Sequence, residues 1–455
     1  MKKIVLLSFI FTLSLPSVLY CQYLETIIPV GSYPRALVYN STNQKVYCAN
    51  MGSNTATVIN ATNNQVITTI RVGSEPCALA YNNINNKIYC ANQQSNDVSI
   101  INGATNEVLN TISVGSRPSA LVYNSVGNKI YCANASSNNV SVIDGVVDNL
   151  ITNVVVGYFP STLVYNPTNN RIYCANMDNE CVTIIDGVTN QVIATVQVGV
   201  HPVSLAYNPE NNEVYCASWA NGRIHMINGA TNQKVDSIIY GNSGPQSLIY
   251  LSYNRIGYVN FVGDNIKLID GTSDTIIATY QFPVGTRPYA LSTTNYYLYC
   301  ANIGSYNVHA FSSYSLYMYG TVNNINYPIT LISITYPRTY VANLWSSTVS
   351  VIIGPVGVEE NSISNIENLK MHIYPNPAKS FFTIHLPQSA KHSTLKIFDV
   401  SGKLARVEEL NSLGVQEFRV STKGISPGLY FVQLNNVSEV GRKSSPVTEK
   451  LVITQ

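Results

Sequence analysis

Between Tyr23 and Gly354 the apolar positions fall in short runs separated by turns rich in Asn, Gly, Thr and Ser. One unit opens with Ala36-Leu37-Val38-Tyr39-Asn40, passes an Asn-rich turn and continues as Val46-Tyr47-Cys48-Ala49-Asn50. A third run such as Val98-Ser99-Ile100-Ile101, a turn such as Asn102-Gly103-Ala104-Thr105-Asn106 and a fourth run such as Val108-Leu109-Asn110-Thr111-Ile112 complete it. Short β-branched and aromatic runs bounded by Asn/Gly turns predict antiparallel strands, four to the unit. Helix signals are absent.

The unit returns eight times, anchored on Pro34, Pro76, Pro118, Pro160, Pro202, Pro245, Pro288 and Pro328, at spacings of 42, 42, 42, 42, 43, 43 and 40 residues. Four-stranded units of this length are the blades of a β-propeller, which closes into a ring and so protects its sheet edges. The last unit has three strands, ending near Thr348-Val349-Ser350-Val351-Ile352, and lacks the fourth. Leu24-Glu25-Thr26-Ile27-Ile28 reads like that missing strand, so the N-terminal segment is expected to complete the eighth blade. Seven blades plus a stray unit is the alternative, but Tyr340-Val341-Ala342-Asn343 copies the repeat too closely to favour it.

The second-strand motif is Tyr-Cys-Ala-Asn at 47 to 50, 89 to 92, 131 to 134, 173 to 176 and 299 to 302, with Tyr215-Cys216-Ala217-Ser218 and Tyr258-Val259-Asn260 as variants. It resembles the YVTN propeller repeat of prokaryotic surface and exported proteins, with Cys mostly replacing Val and Ala replacing Thr. The resemblance covers roughly Tyr23 to Gly354. It implies a fold rather than an activity, because propellers host binding proteins and enzymes alike.

Both ends of the chain point to export. Lys2 and Lys3 precede an apolar run from Ile4 to about Leu19, which predicts a signal peptide over 1–21 cleaved before Gln22. A lipoprotein would need a small residue before Cys21, where bulky Tyr20 stands. The propeller is expected over 22–354 and a polar linker over 355–367. A small domain with Gly/Pro turns between alternating strands, read as an Ig-like β-sandwich, fills 368–455.

That module opens on Tyr374-Pro375-Asn376-Pro377, carries the Asp399-Val400-Ser401-Gly402-Lys403 turn, and continues through Pro427-Gly428-Leu429-Tyr430 to a basic and apolar tail. The order resembles the type A C-terminal sorting domain of the type IX secretion system in Bacteroidota. Such a resemblance implies recognition by the outer-membrane export machinery, removal by its sorting peptidase, and release or attachment to surface lipopolysaccharide.

Charge and candidate chemistry narrow the functional classes. From Gln22 to Gly354 there are 13 basic and 15 acidic residues, so the basic stripe that phosphate binding needs is missing and nucleic acid is not an expected partner. Six of nine cysteines, Cys48, Cys90, Cys132, Cys174, Cys216 and Cys300, share one repeat position. Their side chains should all point the same way round the ring, toward the next blade, and so never face one another closely enough to bridge. They are expected to be buried free thiols, as are Cys77 and Cys181, two blades apart. His201, His225 and His309 are read as occupying three different repeat positions, with no metal-ligand spacing. The Asp-Gly turns at Asp144, Asp186 and Asp270 recur as Asn in other blades and are read as turn formers. No metal or other cofactor is expected, and no nucleophile elbow is present.

In a propeller, the turn entering the inner strand and the turn between second and third strands share one face. Tyr33, Glu75, Arg117, Phe159, His201, Gly244, Arg287 and Tyr327 precede the anchor prolines and should ring the channel mouth there. Trp219 and Trp345 fall in the other turn of that face, near Met51, Met177 and Phe261. Aromatics and Arg on loops suit recognition of a protein or glycan, although packing over the blade core would also account for the aromatics. A non-enzymatic surface binding or adhesion protein is the leading expectation. A secreted hydrolase or lyase using His201 beside Glu75, Arg117 and Arg287 is the alternative, and a structural surface-layer component the third.

Overall fold

In the computed structural model the chain divides into two compact units, Leu19–Val356 and a second within Gly357–Gln455. The structure describes residues 21–239, 244–294, 296–334 and 337–356 of the first, and 372–374, 379–385, 392–399, 403–411, 417–436 and 447–453 of the second. The expected signal segment before Cys21 lies outside these residues.

The first unit is an eight-bladed propeller of four-stranded antiparallel sheets. Blade 1 consists of Pro34–Asn40, Lys45–Asn50, Thr55–Asn60 and Val66–Arg71, from the axis outward. Each later blade repeats this order from its own anchor proline. Every anchor is buried and is followed by a register shift in the inner strand, which accommodates a residue with no N–H to offer the ladder. Blade 8 closes as the sequence predicts: Cys21–Pro29 pairs antiparallel with Thr348–Val356, Leu24 opposite Ile352 and Ile28 opposite Val349.

Packing between blades follows the alternation of the second strand. Tyr47, Tyr89, Tyr131, Tyr173, Tyr215, Tyr258, Tyr299 and Tyr340 are fully buried. Tyr47 shares its cluster with Ile88 and Ile101 of blade 2, whereas Cys48 shares one with Tyr340, Val349 and Val351 of blade 8. The repeated cysteines therefore do point one way round, but toward the preceding blade rather than the next. All eight cysteines with described side chains are free, and burial raises the thiol pKa values, that of Cys77 to about 12. Cys77 Sγ lies 3.1 Å from Pro118 O, where Ser119 in blade 3 donates to Pro160 O at 2.8 Å.

The second unit contains a three-stranded sheet, His372–Tyr374, Phe381–His385 and Glu417–Ser421, and a four-stranded sheet ordered Leu404–Asn411, His392–Asp399, Gly428–Asn436, Val447–Ile453. Phe382 and Val420 of one, and Leu395, Ile397, Val432 and Ile453 of the other, are buried. Among the described residues no helix is long and apolar enough to cross a membrane.

Candidate functional site at the loop face of the propeller

The second-strand motif builds this face from beneath. Its terminal Asn is buried and reaches across the turn into the third strand: Asn50 Nδ2 donates to Thr55 Oγ1 at 3.1 Å and Thr57 Oγ1 at 2.9 Å. Asn134 and Asn343 repeat the arrangement with Asn139 and Ser141, and with Thr348 and Ser350. A buried amide whose N–H groups are paired in this way fixes the turn above it.

Four of the residues before the anchor prolines, Glu75, Arg117, Phe159 and Arg287, are held from both sides. Glu75 donates its N–H to Asn54 Oδ1 at 2.9 Å, and its carbonyl accepts from Gln93 N at 2.8 Å. Arg117 repeats this with Asn96 and Ala135, and Phe159 with Asn138 and Met177. Tyr33, Glu75, Arg117, Phe159, His201, Arg287 and Tyr327 all lie in the left-handed region, with φ between 51° and 55°. Side chains tolerate that conformation at a cost, and at Glu75, Arg117, Phe159 and Arg287 the bonds to N–H and carbonyl hold it. Seven of these positions thus share one backbone conformation while their side chains vary.

The side chains meet locally rather than across the channel. The Arg117 guanidinium lies 6.0 Å from the Phe159 ring centre and that of Arg287 6.0 Å from Phe261. Trp219 covers Gly244, where a Cβ would stand 2.3 Å from the indole. Tyr327 and Trp345 stack with centroids 4.0 Å apart and planes inclined by 15°. Among the described residues no hydrogen bond or ion pair joins the side chains of Glu75, Arg117, His201 and Arg287, and no cluster of three His, Cys, Asp or Glu side chains is disposed to hold a metal.

A cleft of about 320 Å³ opens between blades 7 and 8. Arg287, Tyr327 and Trp345, all expected from the sequence, line it together with Ile303, Gly304 and Tyr306. Tyr306 sits at a positive φ of 54°, the turn position held by Asn54, Asn96 and Asn138 in the first three blades, so a break in the Asn pattern was its available signal. Asp264 holds the neighbouring loop: its carboxylate accepts from Gly285 N at 2.7 Å and Arg287 N at 2.6 Å.

The histidines require a correction. His225 and His309 occupy the same repeat position, opposite Cys216 and Cys300 just as Thr57 stands opposite Cys48. In blade 7, Asn302 Nδ2 donates to His309 Nδ1 at 2.7 Å. Blade 5 has the shorter Ser218 in place of that Asn, and His225, 3% exposed, keeps neither ring nitrogen paired within the protein. Burial lowers the pKa of each imidazole to about 4. The Asp-Gly turns behave as expected of turn formers, Asp186 Oδ1 accepting from Val188 N at 3.0 Å and Thr189 N at 2.8 Å, as Asn228 does from Ala230 and Thr231.

In the second unit, the turn from Asp399 to Lys403 is closed twice, by Asp399 N to Lys403 O at 3.0 Å and Lys403 N to Asp399 Oδ1 at 3.0 Å. Tyr430 is buried and donates to Ser426 O at 2.8 Å, beside Gly428. Tyr374 ends a strand, whereas Pro375, Asn376, Pro377 and Gly402 lie outside the described residues.

A β-propeller followed by a small two-sheet unit is the class of protein these observations define. Residues 372–454 match the family model described as the secretion system C-terminal sorting domain. The protein is accordingly exported through the type IX secretion machinery to the cell surface or extracellular space. Among solved structures the chain is similar to hydrazine synthase of Kuenenia stuttgartiensis, at 17% identity and a TM-score of 0.52, over 72% of this chain and 96% of that one. At that identity the likeness concerns the propeller fold alone. No curated protein matches the chain.

Proposed function

We propose that this is a non-enzymatic, surface-exposed binding or adhesion protein that recognises a protein or glycan ligand with the loop face of its propeller. The observation that carries this reading is the ring itself: seven equivalent positions share one left-handed conformation while carrying Tyr, Glu, Arg, Phe, His, Arg and Tyr. Constant backbone with variable side chains suits recognition.

The finer assignments belong to the same proposal. The repeats are of the YVTN type, and the chain comprises a signal peptide (1–21), propeller (22–354), linker (355–367) and sorting domain (368–455). The machinery's sorting peptidase removes that last domain, and the propeller is released or joined to surface lipopolysaccharide. Arrays of glycans and proteins probed with the full chain test the function. Saturable binding to a discrete set of ligands, weakened by about tenfold in Arg117→Ala/Arg287→Ala, is expected. Binding indifferent to those changes, or turnover of lactones or glycans lost in His201→Ala, would overturn it.

A further inference from the structure

The cleft between blades 7 and 8 has a chemistry more specific than its face as a whole. We infer that it binds an acidic sugar ring, a pyranose bearing a carboxylate, by stacking on Trp345 and pairing with Arg287; this rests on the loop face being the binding surface. Three features carry the assignment.

The platform is built to present one aromatic face. Tyr327 is half-buried and stacks against Trp345, whose indole remains 58% exposed. An exposed indole held by a second ring is pre-organised, so its ordering cost is met before the ligand arrives. The C–H face of a pyranose is flat and apolar and matches such a surface, and the ring hydroxyls remain at the wet edge.

Among the residues lining the cleft, Arg287 alone carries a charge. Its backbone is fixed by Asp264 and by the bond from Ile303 N to Arg287 O at 3.1 Å, and its side chain is exposed, with the guanidinium 6.0 Å from the Phe261 ring centre. A planar guanidinium presents parallel N–H groups that fit a carboxylate in bidentate fashion. Charge thus selects an anion; a guanidinium also pairs with tetrahedral anions in bidentate fashion, and the sulfated trisaccharide in the test measures that competition.

Size and backbone complete the fit. About 320 Å³ stands at the lower end of ligand sites, roughly 300 to 1,000 Å³, which suits one or two sugar units. Gly304 lies so close to Gly285 that a Cβ there would stand 2.1 Å from the Gly285 carbonyl oxygen. Position 304, which lines the cleft, therefore accepts no side chain.

The test is calorimetric titration of the full chain with trigalacturonate, a neutral glucan trimer and a sulfated trisaccharide. Trigalacturonate should bind in preference to both. Arg287→Gln should weaken it by about tenfold, as for loss of a charge-assisted pair, and Trp345→Ala should do at least as much. Trp345→Phe should retain part of the binding, and Lys234→Gln on the outer rim should leave it unchanged. Preference for the sulfated sugar, or uronate binding insensitive to Arg287→Gln and Trp345→Ala, would overturn the inference. Array ligands held by the loop face with no uronate among them would overturn it while the broader function stands. A chain that retains no ligand of any class loses both.

Discussion

The phenol of Tyr47 in blade 1 donates to Asn106 Oδ1 of blade 2 at 2.8 Å. The same bond crosses other seams, from Tyr131 to Asn190 at 2.8 Å, from Tyr215 to Asp274 at 2.7 Å, and from Tyr340 back to Asn64 of blade 1 at 2.6 Å. Each acceptor lies in the left-handed region, with φ between 52° and 63°, a conformation Asn and Asp tolerate well. Lys45 Nζ joins Tyr47 on Asn106 Oδ1 at 2.9 Å. Tyr47→Phe should therefore cost only about 1 kcal/mol, since the acceptor keeps one partner. Tyr47→Ala should cost ~3 to 5 kcal/mol through the cavity it opens. Urea unfolding of the full chain separates the two, and equal midpoints would show that the seam is not packed on this ring.

Ring closure has its own electrostatic mark. Arg338 contacts Glu25 of the closing strand through Nε at 2.8 Å and Nη2 at 2.7 Å. The hydrogen bonds from Arg338 hold the Glu25 carboxyl below its ordinary pKa. A carboxylate depressed on folding contributes stability above its unfolded pKa of about 4.3, and loses it as pH falls through the folded value. The pair is partly exposed, so Arg338→Met should cost ~0.5 to 1 kcal/mol at pH 7. That difference should shrink as pH falls through the folded value, to what the bonds from Arg338 Nη1 to Ala61 O and Thr62 O at 3.0 and 3.2 Å contribute. A difference that did not change with pH would mean that Glu25 adds nothing to closure.

The imidazoles predict a second, separate pH window. His225 and His309 are buried and neutral, with pKa values lowered to about 4, while in the unfolded chain each takes a proton near pH 6.5. Between these values the unfolded state binds more protons, so stability should fall as pH drops from about 6.5 toward 4. His225→Gln should flatten this decline by ~1 to 3 kcal/mol, at about 1.4 kcal/mol per pKa unit. Parallel urea-midpoint profiles for variant and parent over that range would contradict the burial of a neutral ring.

Much of the scaffold was legible because spacing alone carries it: prolines 42 residues apart place four strands each, and the deficit after Ile352 identified Leu24 to Ile28 as the partner. Counted from the anchors, His225 and His309 do not match, lying 23 residues after Pro202 and 21 after Pro288; only the second-strand cysteines, Cys216 and Cys300, share their spacing of 84 residues. The kinship of the two histidines was hidden further because the residues around them differ, Ser218 standing where Asn302 does. The cleft was half legible. Arg287 and Tyr327 follow from ring position and Trp345 from the other turn of that face, but the stacking of Tyr327 on Trp345 and the inclusion of Tyr306 depend on side-chain directions between neighbouring loops, which no periodicity specifies.

The thiols give a direct chemical test of the repeat's orientation. Cys48, Cys90, Cys132, Cys174, Cys216 and Cys300 are fully buried, and burial holds each pKa well above the ordinary thiol value. Both factors suppress the thiolate that reacts. Iodoacetamide at pH 8 without reductant should leave these six unmodified in the native chain and label them all in urea, as read by peptide mass. A disulfide-linked pair among them would overturn the geometry.

Export makes the last prediction, and it separates the two units. The propeller contains its own closing strand, so among the described residues its blades are built from strands ending at Val356. Removing 368–455 should therefore leave a folded propeller that is no longer recognised by the export machinery and accumulates in the periplasm. Reciprocally, 368–455 fused behind an unrelated periplasmic domain should carry that domain outward. Within this module the Asp399 and Lys403 bonds close the central turn, and Asp399→Ala removes one of them while leaving the backbone bond intact. A partial export defect is expected for that variant and a complete one for the deletion, measured by protease accessibility on intact cells. Normal display of the truncated protein would locate the export signal in the propeller instead.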